Sequence, residues 1–157
     1  MIEIKLNVSE ELLGESKSWK PWRAEDGDEY FMIWSKRNCL IVYEHNDDYD
    51  DYKYLTGNYY QTKEKAEQAN LISEAKGRLN FKMLELNEGW TPDWADDQQN
   101  KYSLYHDHLS KKWKIVYYSL LQHFVWPYFP TKQLANQFRE EMESDLNLMF
   151  SINKKIL

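Results

Sequence analysis

Tyr59-Tyr60-Gln61-Thr62-Lys63-Glu64-Lys65-Ala66 returns 69 residues later as Tyr128-Phe129-Pro130-Thr131-Lys132-Gln133-Leu134-Ala135. Aromatic residues lead into a threonine, and an apolar helical stripe follows it. A threonine hydroxyl accepts from an unpaired N–H of a first helical turn, so Thr62 and Thr131 are expected N-caps. Downstream of Thr62, Ala66, Ala69, Ile72, Ala75, Leu79, Met83 and Leu86 recur every three or four residues. Downstream of Thr131, Leu134, Phe138, Met142, Leu146 and Met149 do the same. Each stripe predicts a helix with one apolar face, the first stopped by Asn87 and Gly89.

The correspondence extends upstream in order. Trp19-Lys20-Pro21-Trp22 is answered by Trp90-Thr91-Pro92-Asp93-Trp94. Glu29-Tyr30-Phe31-Met32-Ile33-Trp34 is answered by Lys101-Tyr102-Ser103-Leu104-Tyr105, and Leu40-Ile41-Val42-Tyr43 by Lys114-Ile115-Val116-Tyr117. One such match arises by chance; an ordered series argues for a tandem duplication. In each copy two β-rich runs flank a turn, Ser35–Asn38 or Asp107–Ser110, and read as a hairpin. A third aromatic strand is expected near Asn58 to Tyr60 and near Phe124 to Phe129. The expected class is α+β: a hairpin or three-strand antiparallel sheet, then one helix covering it, twice over. Residues 1–18 form an extension in which Ile2, Ile4 and Leu6 alternate like an edge strand. Residues 19–89 form the first repeat and 90–157 the second.

With 26 acidic and 20 basic residues the formal charge is −6, which argues against direct nucleic-acid binding through phosphate neutralisation. Cys39 is the only cysteine, which fits a reducing, cytoplasmic setting. No run approaches the ~20 apolar residues of a membrane span. The 7 Trp, 12 Tyr and 6 Phe either fill thin sheet–helix cores or prepare a binding surface.

Chemistry-bearing groups are few. His106-Asp107-His108 lies on the expected second turn with no third ligand at metal spacing, so no metal is assigned. Cys39 and His45 lack the orienting group and oxyanion site that a nucleophilic pair needs. Five glycines and no glycine-rich loop leave no phosphate cradle. No catalytic residue and no cofactor are therefore expected. Asp47-Asp48-Tyr49-Asp50-Asp51-Tyr52 is the densest acidic run and reads as a loop joining the hairpin to the third strand. It lacks the glycine and closing glutamate of a calcium loop. As a surface it would suit a basic partner cleft and gain association rate from steering. Trp22 and Trp94, beside Pro21 and Pro92, either close the end of each sheet or form an exposed aromatic patch.

Gly57-Asn58-Tyr59-Tyr60-Gln61-Thr62-Lys63-Glu64-Lys65-Ala66-Glu67 and Leu86-Asn87-Glu88-Gly89-Trp90-Thr91-Pro92-Asp93-Trp94 resemble elements of a group of small phage and prophage proteins of low-GC Gram-positive bacteria. Across roughly residues 19–150 the resemblance implies a mobile-element accessory protein and supplies no catalytic residues. Gly57 has no counterpart in the second repeat, where Val125-Trp126-Pro127 stands. The function expected from this resemblance, the acidity and the aromatic content is inhibition of a host defence protein, in particular an anti-CRISPR action on an effector nuclease. The alternatives are a nucleic-acid-associated accessory factor and, last, a small enzyme.

Overall fold

A computed structural model describes residues 20–35, 38–119 and 126–151. Their elements run β1 (Glu29–Ser35), β2 (Asn38–Tyr43), α1 (Asp48–Leu55), α2 (Lys63–Asn87), β3 (Lys101–Asp107), β4 (Lys112–Tyr118) and α3 (Lys132–Met149). The fold is α+β: β1–β2 and β3–β4 form two separate antiparallel two-stranded sheets, accompanied by the three helices. The expected strand at Ile2 to Leu6, and Trp19, lie outside the described residues. Among those residues, no helix is long and apolar enough to cross a membrane.

Among the described residues the expected third strand is one bridged residue in each unit; Phe124 and Val125 of the second lie outside them. Tyr60 exchanges both backbone hydrogen bonds with Phe31, and Phe129 does so with Tyr102. Two residues later the chain reaches the N-cap of a helix, which ends any ladder on that side. Thr62 and Thr131 are the N-caps: their hydroxyls accept from the N–H groups of Lys65 and Leu134 at 3.3 and 3.2 Å. At the far end of α2, Glu88 takes the left-handed conformation and Gly89 follows at φ 85°.

The bridges correct the residue matching made from sequence. Phe31 and Tyr102 are equivalent, so Lys101, not Tyr102, occupies the place of Tyr30. Phe31 pairs with Ile41 and Tyr102 with Tyr117, so the second strands align two residues away from their similar letters. A two-residue slip keeps the same face, which is why that pattern still looked right. The one-residue slip on the first strands does not. It hid the fully buried Lys101 behind a tyrosine–tyrosine match.

Each hairpin packs against the long helix that follows it, α2 for the first and α3 for the second, and the first also carries a small core on its opposite face. In the second unit, Leu104, Trp113 and Ile115 pack with Phe138 and Leu146 of α3, and the Trp113 indole donates to Asn147 at 2.8 Å. Leu79, Met83 and Leu86 of α2 complete this larger core, and α2 packs along α3. Arg78 and Lys82 reach across to Asp145 and Glu141. In the first unit α2 contacts β1 and β2, with Cys39 beside Glu67, Asn70 and Leu71. Cys39 is therefore a half-buried edge residue facing a groove. Tyr30, Met32 and Val42 alternate onto the opposite face and form a separate small core with Ala24 and Tyr59.

Candidate partner-binding surface

The acidic run is a helix, not a loop. Asp47 caps it: its carboxylate accepts from the N–H groups of Tyr49 and Asp50 at 2.9 and 3.0 Å. Asp48, Asp50 and Asp51 then fill the first turn of α1, where the helix dipole favours negative charge. The carboxylates that read as a loop are thus the residue types that start a helix.

The four aspartates have different fates. Asp50 is only 1 % exposed and accepts from the Tyr30 hydroxyl at 2.8 Å and the His45 N–H at 2.7 Å. It cannot belong to a contact surface, because burial and two internal donors commit it to the fold. Asp51 is tied to Arg23 at 2.7 Å but keeps half its side chain in water. Asp47 is exposed yet engaged as the cap; Asp48 is exposed. Tyr49 is half-exposed, with its hydroxyl on the Met32 sulfur at 3.2 Å. The outward side of α1 therefore carries Asp48, Asp51, Tyr52 and Leu55 at helical spacing, with Tyr52 61 % and Leu55 82 % exposed.

A charged and aromatic network fixes this helix to the hairpin. Arg23 grips Glu44 through two nitrogens, at 2.7 and 3.3 Å, while its third holds Asp51. Glu44 is fully buried and also accepts from the Tyr59 hydroxyl and the Asn46 N–H. Burial alone would raise the Glu44 pKa, but the bonds from Arg23, Tyr59 and Asn46 outweigh it and hold the carboxyl below its ordinary value. Burial, followed by the bond to Glu44, pushes the Tyr59 phenol up to about 12. Burial and the bond to Asp50 raise Tyr30 as well. The Tyr30 and Tyr59 rings stack with centroids 3.9 Å apart, and Tyr54 meets Tyr59 edge-on. Donors and acceptors here are matched to one another, so the network acts as a mount.

The two tryptophans hold equivalent posts. Trp22 packs on Tyr59 and Trp94 on Tyr128, each at the non-helix face of its own hairpin. Trp22 is 40 % exposed beside the α1 mount, whereas Trp94 is half-buried. Trp94 instead offers its ring to the Lys101 ammonium, 5.3 Å from the centroid, which also donates to the Asp96 and Ser119 carbonyls at 2.7 and 2.8 Å. The structure thus gathers Trp22 with the α1 residues and assigns Trp94 to a second cluster.

No family model, curated protein or solved structure matches the chain. What the site can do rests on its own geometry. Arg23, Glu44, Tyr30 and Tyr59, which position it, carry little signal in the sequence because their partners lie 15 to 28 residues away. The capping pattern of Asp47 was the legible clue to α1. The His106 and His108 rings meet edge-on at 4.7 Å, and among the described residues no group of three metal-ligating side chains forms.

Proposed function

We propose that the chain is a protein-binding inhibitor of the mobile-element accessory type, acting on a basic, nucleic-acid-handling host defence protein. A CRISPR effector nuclease is the specific target class we favour. The supporting observation is the outward face of α1, where Asp48 and Asp51 alternate with the exposed Tyr52 and Leu55 on a rigidly mounted helix. Carboxylates steer toward a basic cleft, and adjacent aromatic and aliphatic surface supplies contact once docked. A mount of matched hydrogen bonds limits the ordering cost of binding. The equivalent caps, bridges and tryptophans support reading the two units as copies of one hairpin–helix ancestor, with α1 added in the first.

The test is DNA cleavage by guide-loaded effector nucleases of low-GC Gram-positive bacteria, with and without the chain. Inhibition should saturate near one chain per nuclease. The double variant Asp48→Lys, Tyr52→Ala should lose it by at least tenfold, since Asp48 and Tyr52 lie outside the mount. Inhibition equal in wild type and variant removes α1 from the interface. Retention of the chain on bare DNA, weakening steeply with salt, supports the nucleic-acid-associated alternative.

A further inference from the structure

One line along α2 carries exposed apolar side chains between groups that the fold already engages, the buried Asn70 and the Arg78-paired Glu74. Asn70, Glu74, Gly77, Phe81, Leu84 and Glu88 fall at alternating spacings of four and three, which draws a straight line along a helix. On this line Phe81 is 74 % exposed, and Leu84 is exposed beside it. A hollow of about 490 Å³ lined by Asn70, Glu74, Gly77, Arg78 and Phe81 opens along the same line. A second, of about 300 Å³, continues from Asn70 toward Cys39 and Leu71. Gly77 forms the floor of the first. A Cβ there would meet nothing within 4 Å, so the chain's own packing does not require glycine. Glycine in a helix interior is destabilising relative to alanine, and close approach of another backbone is the use left for it.

We propose that this face docks on the same face of a second copy of the chain, with the two α2 helices antiparallel about a two-fold axis level with residues 78–80. In that arrangement Phe81 of each copy enters the hollow over Gly77 of the other. A knob four residues from its matching hole is self-complementary only about such an axis, as an isologous dimer requires. Charge selects the same direction. Antiparallel pairing sets Glu74 opposite Leu84 and Asn70 opposite Glu88, and the two Arg78 side chains nearest the axis are each already paired with Glu74 and Asp145. Parallel pairing would stack Glu74 on Glu74 and Glu88 on Glu88, which is repulsive.

Sedimentation equilibrium of the full chain, in a concentration series reaching about 0.5 mM, reads the result directly. The mass should rise from 19.1 kDa toward twice that value. Phe81→Glu and Gly77→Leu should each remain at the monomer mass. Gly77→Leu guards against misfolding as the cause, because the site is open and leucine is the better helix former; its far-ultraviolet circular dichroism should match wild type. Leu109→Glu, at a turn residue 98 % exposed, should dimerise like wild type. A wild type that stays monomeric throughout overturns the proposal and leaves the face to residues 1–19 or to a different protein. A dimer that survives both α2 substitutions also overturns it.

Discussion

Tyr59 shows how much of the first unit depends on one hydroxyl. It donates to Glu44, accepts from the Ala24 N–H at 3.1 Å, and sets its ring against Tyr30, Trp22 and Tyr54. Its phenol is raised to about 12 in the folded chain, whereas an unfolded tyrosine titrates near 10. A group whose folded pKa is raised contributes stability that is complete below the unfolded value and is lost as pH climbs through the folded one. Stability should therefore fall by on the order of 1–2 kcal/mol between about pH 10 and pH 12. Tyr59→Phe should be less stable than wild type at neutral pH and show a smaller alkaline fall, as Tyr30 continues to titrate. Urea midpoints across this range check it, and an undiminished fall in Tyr59→Phe would assign the effect elsewhere. Glu44 works in the opposite direction. Its pKa is depressed, so its contribution is present above the ordinary carboxyl range and disappears as pH drops through its folded value.

At the scale of elements, α1 is the informative case, because eight residues are too few to hold a helix in isolation. It persists through the Asp47 cap, the acidic first turn and the anchors at Asp50 and Asp51. Asp47→Ala should cost about 0.5–2 kcal/mol, the usual loss for a removed cap. Asp50→Ala should cost more, since it strands the buried Tyr30 hydroxyl and the His45 N–H without an acceptor. Asp48→Ala should be nearly neutral. Chemical denaturation of the three variants checks the order, and an Asp50→Ala as stable as Asp48→Ala would show the anchor to be idle. The same element marks the boundary of what sequence could tell. Both long helices and their threonine caps were legible because spacing and capping are local signals. The acidic run was misread as a loop because charge density outweighed a cap only two residues ahead of Tyr49. Strand register was half-legible, since face alternation survives a two-residue slip and fails after one. The mount on Arg23 and Glu44 was not legible, because its pairs exist only after the hairpin has folded back on residues 21–24.

Across the whole molecule the two units share a plan but not a core. The second is closed by Leu79, Leu104, Trp113, Phe129, Phe138 and Leu146, all buried together. Among the described residues the first buries Ala24, Tyr30 and Met32 in its small core, together with Ala66, Asn70 and Ala75 of α2 and the charged Glu44 and Asp50. Apolar burial contributes roughly 25 cal/mol per Å², while matched polar groups add little net stability, so the second unit is the more stable half. Helix α2 belongs to both: its first half lies along β1 and β2, and its second half is tied to α3 by Arg78–Asp145 and Lys82–Glu141. Opening should therefore proceed as a partial unfolding, with β1, β2, α1 and the start of α2 exchanging while the rest stays closed. Amide hydrogen exchange under native conditions reads this residue by residue. Amides of Leu79 to Leu86, β3, β4 and α3 should show the highest protection, approaching the global unfolding free energy. Those of β1, β2 and α1 should exchange at a common lower value, on the order of 1–3 kcal/mol below it. Phe138→Ala should lower protection in the second unit first, and in the first unit only by the part of its cost that exceeds the gap between the two levels, because the partly open state keeps the Phe138 core. Tyr59→Phe should lower protection in both units by a similar amount, because the contact it removes is lost in the partial and the global opening alike. Equal protection in both hairpins, or a Phe138→Ala effect of equal size in both, would mean that α2 couples the two units into a single cooperative transition.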